Sequence, residues 1–326
     1  MLEDIKLPFI DKKVINKHER EYQIGLIDGQ GVMTSIDIYP GIQVIYNNFH
    51  CFTAPTDQSL NRHRYIEINH CLKGKFECQY NKNYYAYLCQ GDLAISGGTL
   101  NKLTHSFPLG YYNGVEILIE VEKAKENKLL DEFNIDIDLI SKRLKESHNV
   151  YIFRATAQIE HICLEMYEIE EELKRNYLKI KVLELLLFLS HHDFGILENE
   201  KHYYPKKQIE IIKAIKTELS NNISAKYDLE KLVKQYNINI HTFRKAFKEI
   251  HGKPIYQWYK EYRLEYSLGL LINTDIPIIE IANEIGYSNP SKYSAAFYQY
   301  TSMTPQQYRK SHLKMAVQIQ SYIQCI

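Results

Sequence analysis

LEKLVKQYNINIHTFRKAFKEIHGKPIYQW, from Leu229 to Trp258, and IIEIANEIGYSNPSKYSAAFYQYTSMTPQQY, from Ile278 to Tyr308, repeat one helical pattern. Each opens with a short amphipathic segment and passes a turn of three or four residues. Each then continues into a second segment with an aromatic residue near its start and a Phe four residues later. Phe243 and Phe247 in the first copy match Tyr293 and Phe297 in the second. Asn237 in one turn and Gly286 in the other suit a left-handed backbone, which Asn and Gly tolerate best. Helix, tight turn, helix is the arrangement that lays its second helix in the major groove of DNA. Two copies in one domain make the reading specific.

Flanking residues agree with it. Asp228 precedes the apolar-periodic run Leu229, Leu232, Val233, Tyr236 and is placed to cap a helix. Pro277 and Pro305 each stand where a new helix would begin, where a missing N–H does no harm. Between the copies, Ile255 to Ile272 contains no Pro and one Gly, and its apolar residues recur at helical spacing. One long helix is therefore expected to join the modules. A rigid connector would set the two second helices about one duplex turn (~34 Å) apart on one face of DNA.

Charge points the same way. The chain holds 40 basic and 40 acidic residues, but from Pro205 onward there are 17 Lys and Arg against 10 Asp and Glu, leaving 23 against 30 before it. The halves thus differ as +7 and −7, the split expected of a phosphate-binding module on an acidic body.

The segment IANEIGYSNPSKYSAAFYQYTSMTPQQYR, Ile281 to Arg309, resembles the C-terminal signature of the AraC/XylS transcription regulators. YQWYKEYRLEYSLGLLINTDIPIIEIA is similar to that family's connector, with its pair Arg263 and Leu264 and the leucines Leu270 and Leu271. The resemblance covers about Pro205 to Ser311. It departs at Val233, where a small residue is usual, at Asn239 in place of Ser, and at Ser302 in place of Gly. It implies a sequence-specific DNA-binding regulator, not an enzyme, whose partners are double-stranded DNA and a small-molecule effector held in an N-terminal barrel. It further implies a homodimer, with RNA polymerase open as another partner.

In the first module Phe243 and Phe247 are expected to face the core, leaving His241, Thr242, Arg244, Lys245 and Lys248 on other faces. By position His241, Arg244 and Lys245 match family residues that contact bases or phosphates, and Arg suits bidentate reading of guanine. A solvated basic face is the alternative. In the second module Ser291, Ser294 and Ala295 match, with Lys292 beside them. Ala offers only contact with a thymine methyl, so this helix is expected to add phosphate affinity more than base discrimination. Trp258 lies on the connector's apolar stripe and is read as core.

The fold expected is α+β, with 326 residues and 45% hydrophobic content sufficient for separate cores. The resemblance implies that residues 1–190 form the effector-sensing and dimerisation domain. Its strands, about 33–122, are rich in Ile, Val and Tyr and broken by Gly, Pro and Asn, which favours an antiparallel barrel. QYNKNYYAY reads as a hairpin turning near Asn81 to Asn83, and Gly91 and Asp92 open a strand in a way similar to the cupin-type barrels of AraC-family sensors. IEINHCLKGKFECQY and its neighbours further resemble the family's siderophore and iron-uptake regulators. Helices follow over about 125–190, with a break near Asn176. By resemblance they pair two copies; on their own residues they equally serve to cover the barrel. Residues 191–207 read as linker, 208–312 as the double helix-turn-helix domain and 313–326 as a tail.

No cofactor or metal is expected. His63, His70, Cys71, Cys78 and Cys89 lie close in sequence, but without an H-x-H pair or C-x-x-C spacing. Burial accounts for them more simply. MLEDIKLPFIDKK is too short and too charged for a secretory leader, no apolar run spans a membrane, and six scattered cysteines suit a reducing cytoplasm. The alternative function is a cupin-type metal-dependent enzyme or metal sensor fused to a DNA-binding domain.

Overall fold

The computed structural model describes residues 9–26, 28–54, 65–79, 83–97, 105–146, 150–191 and 203–311. The chain divides into two compact units, Met1–Lys207 and Gln208–Ile326. The expected linker residues 192–202, the turn residues 80–82, His63 and the tail 313–326 lie outside the described residues.

Among the described residues the first unit is built on eleven strands: β1 (Phe9–Val14), β2 (Glu19–Leu26), β3 (Gly29–Tyr39), β4 (Ile42–His50), β5 (Tyr65–Gln79), β6 (Tyr84–Cys89), β7 (Asp92–Gly97), β8 (His105–Ser106), β9 (Tyr112–Glu120), β10 (Val150–Arg154) and β11 (Tyr203–Pro205). Their main path runs β1-β2-β3-β4-β9-β5-β6-β11, with β7 and β8 also on β5 and β10 on β7. Every pairing is antiparallel. No ladder among the described residues joins the two ends of this path, so the sheet is open where a closed barrel was expected.

β5 is shared between two sets of partners. Its first half pairs with β9 and β7, its second with β6 and β8. A bulge falls between Cys71 and Lys73, and Gly74 follows at φ +92, where a Cβ would stand 2.3 Å from the Tyr111 carbonyl oxygen. A bulge beside a glycine bends a strand sharply.

Alternation along the strands gives the sheet two apolar faces. Ile66 and Ile68 on β5, with Val115, Ile117 and Ile119 on β9, belong to one cluster; Tyr65, Cys71 and Leu118 belong to another with Phe49, Phe107 and Tyr112. The sheet also begins earlier than expected, because FIDKKV and EREYQIGL pair as β1 and β2. The charges of β1 hid it, and charged residues are what an edge strand carries to discourage further pairing.

Helices α1 (Val121–Lys125), α2 (Lys128–Glu132), α3 (Ile137–Glu146), α4 (Ala157–Glu165) and α5 (Lys174–His191) supply the rest of the first cluster, through Ile140, Ile159, Ile162, Leu178, Val182 and Leu185. The break between α4 and α5 lies at 166–173, not near Asn176, which falls in the first turn of α5. Consecutive Glu170, Glu171 and Glu172 occupy that break. Asn is well tolerated at a helix start, so its presence did not mark the boundary.

His70 is 1% exposed, with no hydrogen-bond partner for either ring nitrogen. Burial, reinforced by the Arg154 cation, pushes its pKa down to about 4, so the ring is neutral packing beside Tyr167. Within the stretch read as linker, Tyr203–Pro205 pair with Tyr84–Ala86 as β11.

The second unit is helical: α6 (Lys206–Asn221), α7 (Leu229–Gln235), α8 (Ile240–His251), α9 (Ile255–Asn273), α10 (Ile278–Glu284) and α11 (Pro290–Thr301), with a further helical turn over 305–311. α9 is the long connector. Leu264 and Leu271 on it pack with Ile281, Ala282, Ile285, Tyr293 and Phe297. Trp258 is half-buried, with its ring 5.6 Å from that of Phe247 and Lys216 Nζ 5.5 Å from its centroid, as expected of a packing residue.

Candidate nucleic-acid interface

The two helix pairs are built alike from the backbone up. Asp228 Oδ1 accepts from the Glu230 and Lys231 amides and starts α7. Asn239 Oδ1 accepts from His241 and Thr242, and Asn289 Oδ1 from Ser291 and Lys292, so α8 and α11 carry the same cap. Each such cap is worth about 1 kcal/mol.

The turns differ in chemistry and agree in geometry. Asn237 has φ +52 and Gly286 φ +79. At Gly286 a Cβ would also stand 2.6 Å from the Ser224 carbonyl oxygen and 2.8 Å from Arg263 Nη2, so glycine is required twice over. Arg263 is turned inward: Nε donates to the Ile223 carbonyl at 2.8 Å, Nη2 to that of Ala225 at 2.7 Å, and the guanidinium lies 4.2 Å from the Tyr259 ring centroid. Its role is to tie α9 to the loop before α7.

On α8, Phe243, Ala246, Phe247 and Ile250 are buried, and His241, Thr242, Arg244, Lys245 and Lys248 are all exposed. Spacings of three and four put His241, Arg244, Lys245 and Lys248 on one stripe, with Thr242 at its edge. Arg244 is positioned beside the exposed Tyr256 ring, 6.0 Å from its centroid. Lys245 Nζ stands 4.0 Å from Glu249 Oε1, an exposed pair of little energetic consequence.

On α11, Tyr293, Ala296 and Phe297 are buried, Ser291, Lys292 and Ala295 are exposed, and Ser294 is half-buried. The same stripe continues one turn further through Tyr298, 55% exposed, and Gln299. Tyr298 was missed from sequence. The repeat itself would have found it, because Phe247 matches Phe297 and Lys248 therefore matches Tyr298. A phenol there offers one hydroxyl to a phosphate where α8 offers an ammonium.

Residues 232–311 match the family model described as a helix-turn-helix domain. Among curated proteins the chain is 26% identical over 133 residues to the virulence regulon transcriptional activator VirF of Yersinia enterocolitica, covering 40% of this chain and 48% of that protein. It is 33% identical over 103 residues to YesN of Bacillus subtilis, an uncharacterised transcriptional regulatory protein, covering 31% and 27%. Among solved structures, the DNA-binding domain of AdpA in complex with a target DNA aligns at 21% identity and TM-score 0.30, over 31% of this chain and 91% of that one. The chain spans about half the length, or less, of the curated relatives it matches. Its C-terminal part is a helix-turn-helix domain of the AraC type, as the resemblance implied.

Among the described residues no three His, Cys, Asp or Glu side chains are grouped to hold a metal ion, and no helix is long and apolar enough to cross a membrane. Cys71 and Cys78 are buried, Cys89 half-buried, and burial raises the thiol pKa of Cys71 and of Cys89.

Proposed function

We propose that the protein is a sequence-specific transcription regulator of the AraC/XylS type, reading DNA with two helix-turn-helix modules and governed by a small effector held in its N-terminal, cupin-like sheet. One observation carries this reading: α8 and α11 begin on identical asparagine caps and present matching exposed stripes on a common helical frame. α9, with 19 residues, supplies a rigid spacer of about 28 Å at 1.5 Å per residue. That length suits two major-groove segments one turn apart.

Domain roles follow as part of the proposal. Residues 1–190 sense and dimerise, 191–207 link, and 208–312 bind DNA through His241, Thr242, Arg244, Lys245, Lys248, Ser291, Lys292, Ser294 and Ala295. Leu173 and Ile180, seven residues apart on and just before α5, are 57% and 61% exposed and support pairing of two copies. RNA polymerase is a further partner in this scheme.

The test is fluorescence anisotropy of the full chain on its own upstream DNA and on scrambled DNA of equal length, across a salt series. Selective binding that weakens steeply with salt is expected. Equal affinity for both duplexes would sink the reading. An effector acting through a coupling of ~1–3 kcal/mol should change operator affinity ~5–150-fold.

A further inference from the structure

The described residues of the N-terminal unit line an open cleft of about 370 Å³ where the β3–β4 turn meets the start of α5. Its size falls in the range that holds small molecules, roughly 300–1,000 Å³. Tyr39 and Pro40 give it apolar walls, while the Ile38 side chain belongs to the core, and His18, Asp37 and Arg175 bring polar groups to it.

Asp37, the carboxylate on its wall among the described residues, is already engaged. Asp37 Oδ2 accepts from Arg20 Nη1 at 2.9 Å and Oδ1 from Gln43 Nε2 at 2.5 Å. Burial alone would raise the Asp37 pKa; these hydrogen bonds outweigh it and hold the carboxyl below its ordinary range. Asp37 therefore stays ionised and committed to its own partners.

The cations are differently placed. Arg175 uses Nε on the Asp37 carbonyl at 2.8 Å and Nη2 on the Ile38 carbonyl at 3.3 Å. Both acceptors are neutral, and a guanidinium has five N–H donors, so charge and donors remain for another group. Lys179 Nζ lies 6.0 Å from the Tyr39 ring centroid, while the Tyr39 hydroxyl donates to the Lys179 carbonyl at 3.2 Å. Among the described residues no carboxylate pairs with either cation. Burial and then the charges of Arg175, Lys17 and Lys179, against the opposing charge of Asp37, lower the His18 pKa, so the ring is a neutral hydrogen-bonding group at neutral pH.

We propose that this cleft binds a small organic monoanion, a carboxylate on a short apolar body, with the carboxylate on Arg175, the Lys179 ammonium beside the cleft adding its attraction, and the body against Tyr39 and Pro40. Complementarity decides the class. Among the described residues the surplus of cation disfavours amines, one guanidinium fork matches one carboxylate, and the apolar walls favour a body over a bare inorganic ion. Such a ligand would join the β3–β4 turn to the first two turns of α5. As a regulatory effector it rests on the regulator reading above; as a binding site it does not.

Calorimetry of the full chain with phenylacetate, phenylacetamide and phenethylamine separates charge from shape. Phenylacetate should bind about tenfold more tightly than the amide, the scale of one charge-assisted hydrogen bond. The amine should not bind. Arg175→Gln and Lys179→Met should each weaken phenylacetate several-fold. Lys179→Met touches no backbone carbonyl through its Nζ, so an unchanged melting temperature certifies its fold. No phenylacetate binding at millimolar concentration, equal binding of acid and amide, or full affinity in Lys179→Met would overturn the site. Repeating the titration with upstream DNA present tests its use. Binding indifferent to DNA keeps the site and removes its regulatory role. Selective DNA binding without phenylacetate binding keeps the regulator and removes the site.

Discussion

The two helix pairs share a frame and differ in what they show to solvent. Phe243 and Phe247 are matched by Tyr293 and Phe297, all 0% exposed, and Asn239 by Asn289 at the cap. On the stripe between these fixed points, His241, Arg244, Lys245 and Lys248 face Ser291, Ser294, Ala295 and Tyr298. Helix geometry depends on the buried and capping residues, so the exposed ones are free to diverge. The first module carries charge and long donors; the second carries small side chains and one phenol. A repeated fold need not repeat its chemistry.

Sameness of the frames is tested by the largest effects. Phe247→Ala and Phe297→Ala should each destabilise the helical unit by about 3–5 kcal/mol, the usual loss for emptying a buried Phe site. Denaturant melts of the two variants should agree closely. A difference of several kcal/mol would mean that one module is not held by its core.

Difference in chemistry is tested next. Arg244→Ala should cost about 1–3 kcal/mol on the preferred DNA site and flatten preference at one or two base positions, as loss of a bidentate contact does. Ser294→Ala should cost less on the same site. Anisotropy titrations that rank them the other way would reverse the roles of the modules.

A subtler test exchanges the ends of the stripes. If Lys248 meets a phosphate, Lys248→Tyr should lower the slope of log affinity against log salt by about 1. Tyr298→Lys should raise it by the same amount if the second helix lies equally close to the backbone. An unchanged slope for Tyr298→Lys would place that helix away from phosphate.

The smallest effect concerns where the helices end. α8 stops at Gly252, φ +75, and α11 at Ser302, φ +61, each in the left-handed region. Glycine is at ease there and serine is not. Ser302→Gly should therefore stabilise by about 0.5–1 kcal/mol, and Gly252→Ala should cost about 1 kcal/mol. Thermal melts of the two variants should move in opposite directions.

Much of the helical unit was legible because its signals are local. Caps, turn residues and a period of three to four residues sit within one or two turns of each other, and the copies check one another. The sheet was less legible. β1 is charged because it is an edge, and β10 consists of five residues whose partner, β7, lies more than fifty positions earlier. Tyr203–Pro205 carry no strand signal of their own and pair because β6 offers them an edge.

By itself, then, the sequence determined the repeated helices, their caps, the connector and the identity of the exposed basic residues, since each follows from neighbours in the chain. Only the folded chain shows that the sheet is open among the described residues, that Arg263 points inward, that Tyr298 extends the second stripe into solvent, and that Arg175 and Lys179 meet the β3–β4 turn. The physical reason is separation. Helical hydrogen bonds close over four residues, whereas strand pairing joins residues tens of positions apart and the cleft residues more than a hundred apart, whose meeting no local pattern encodes.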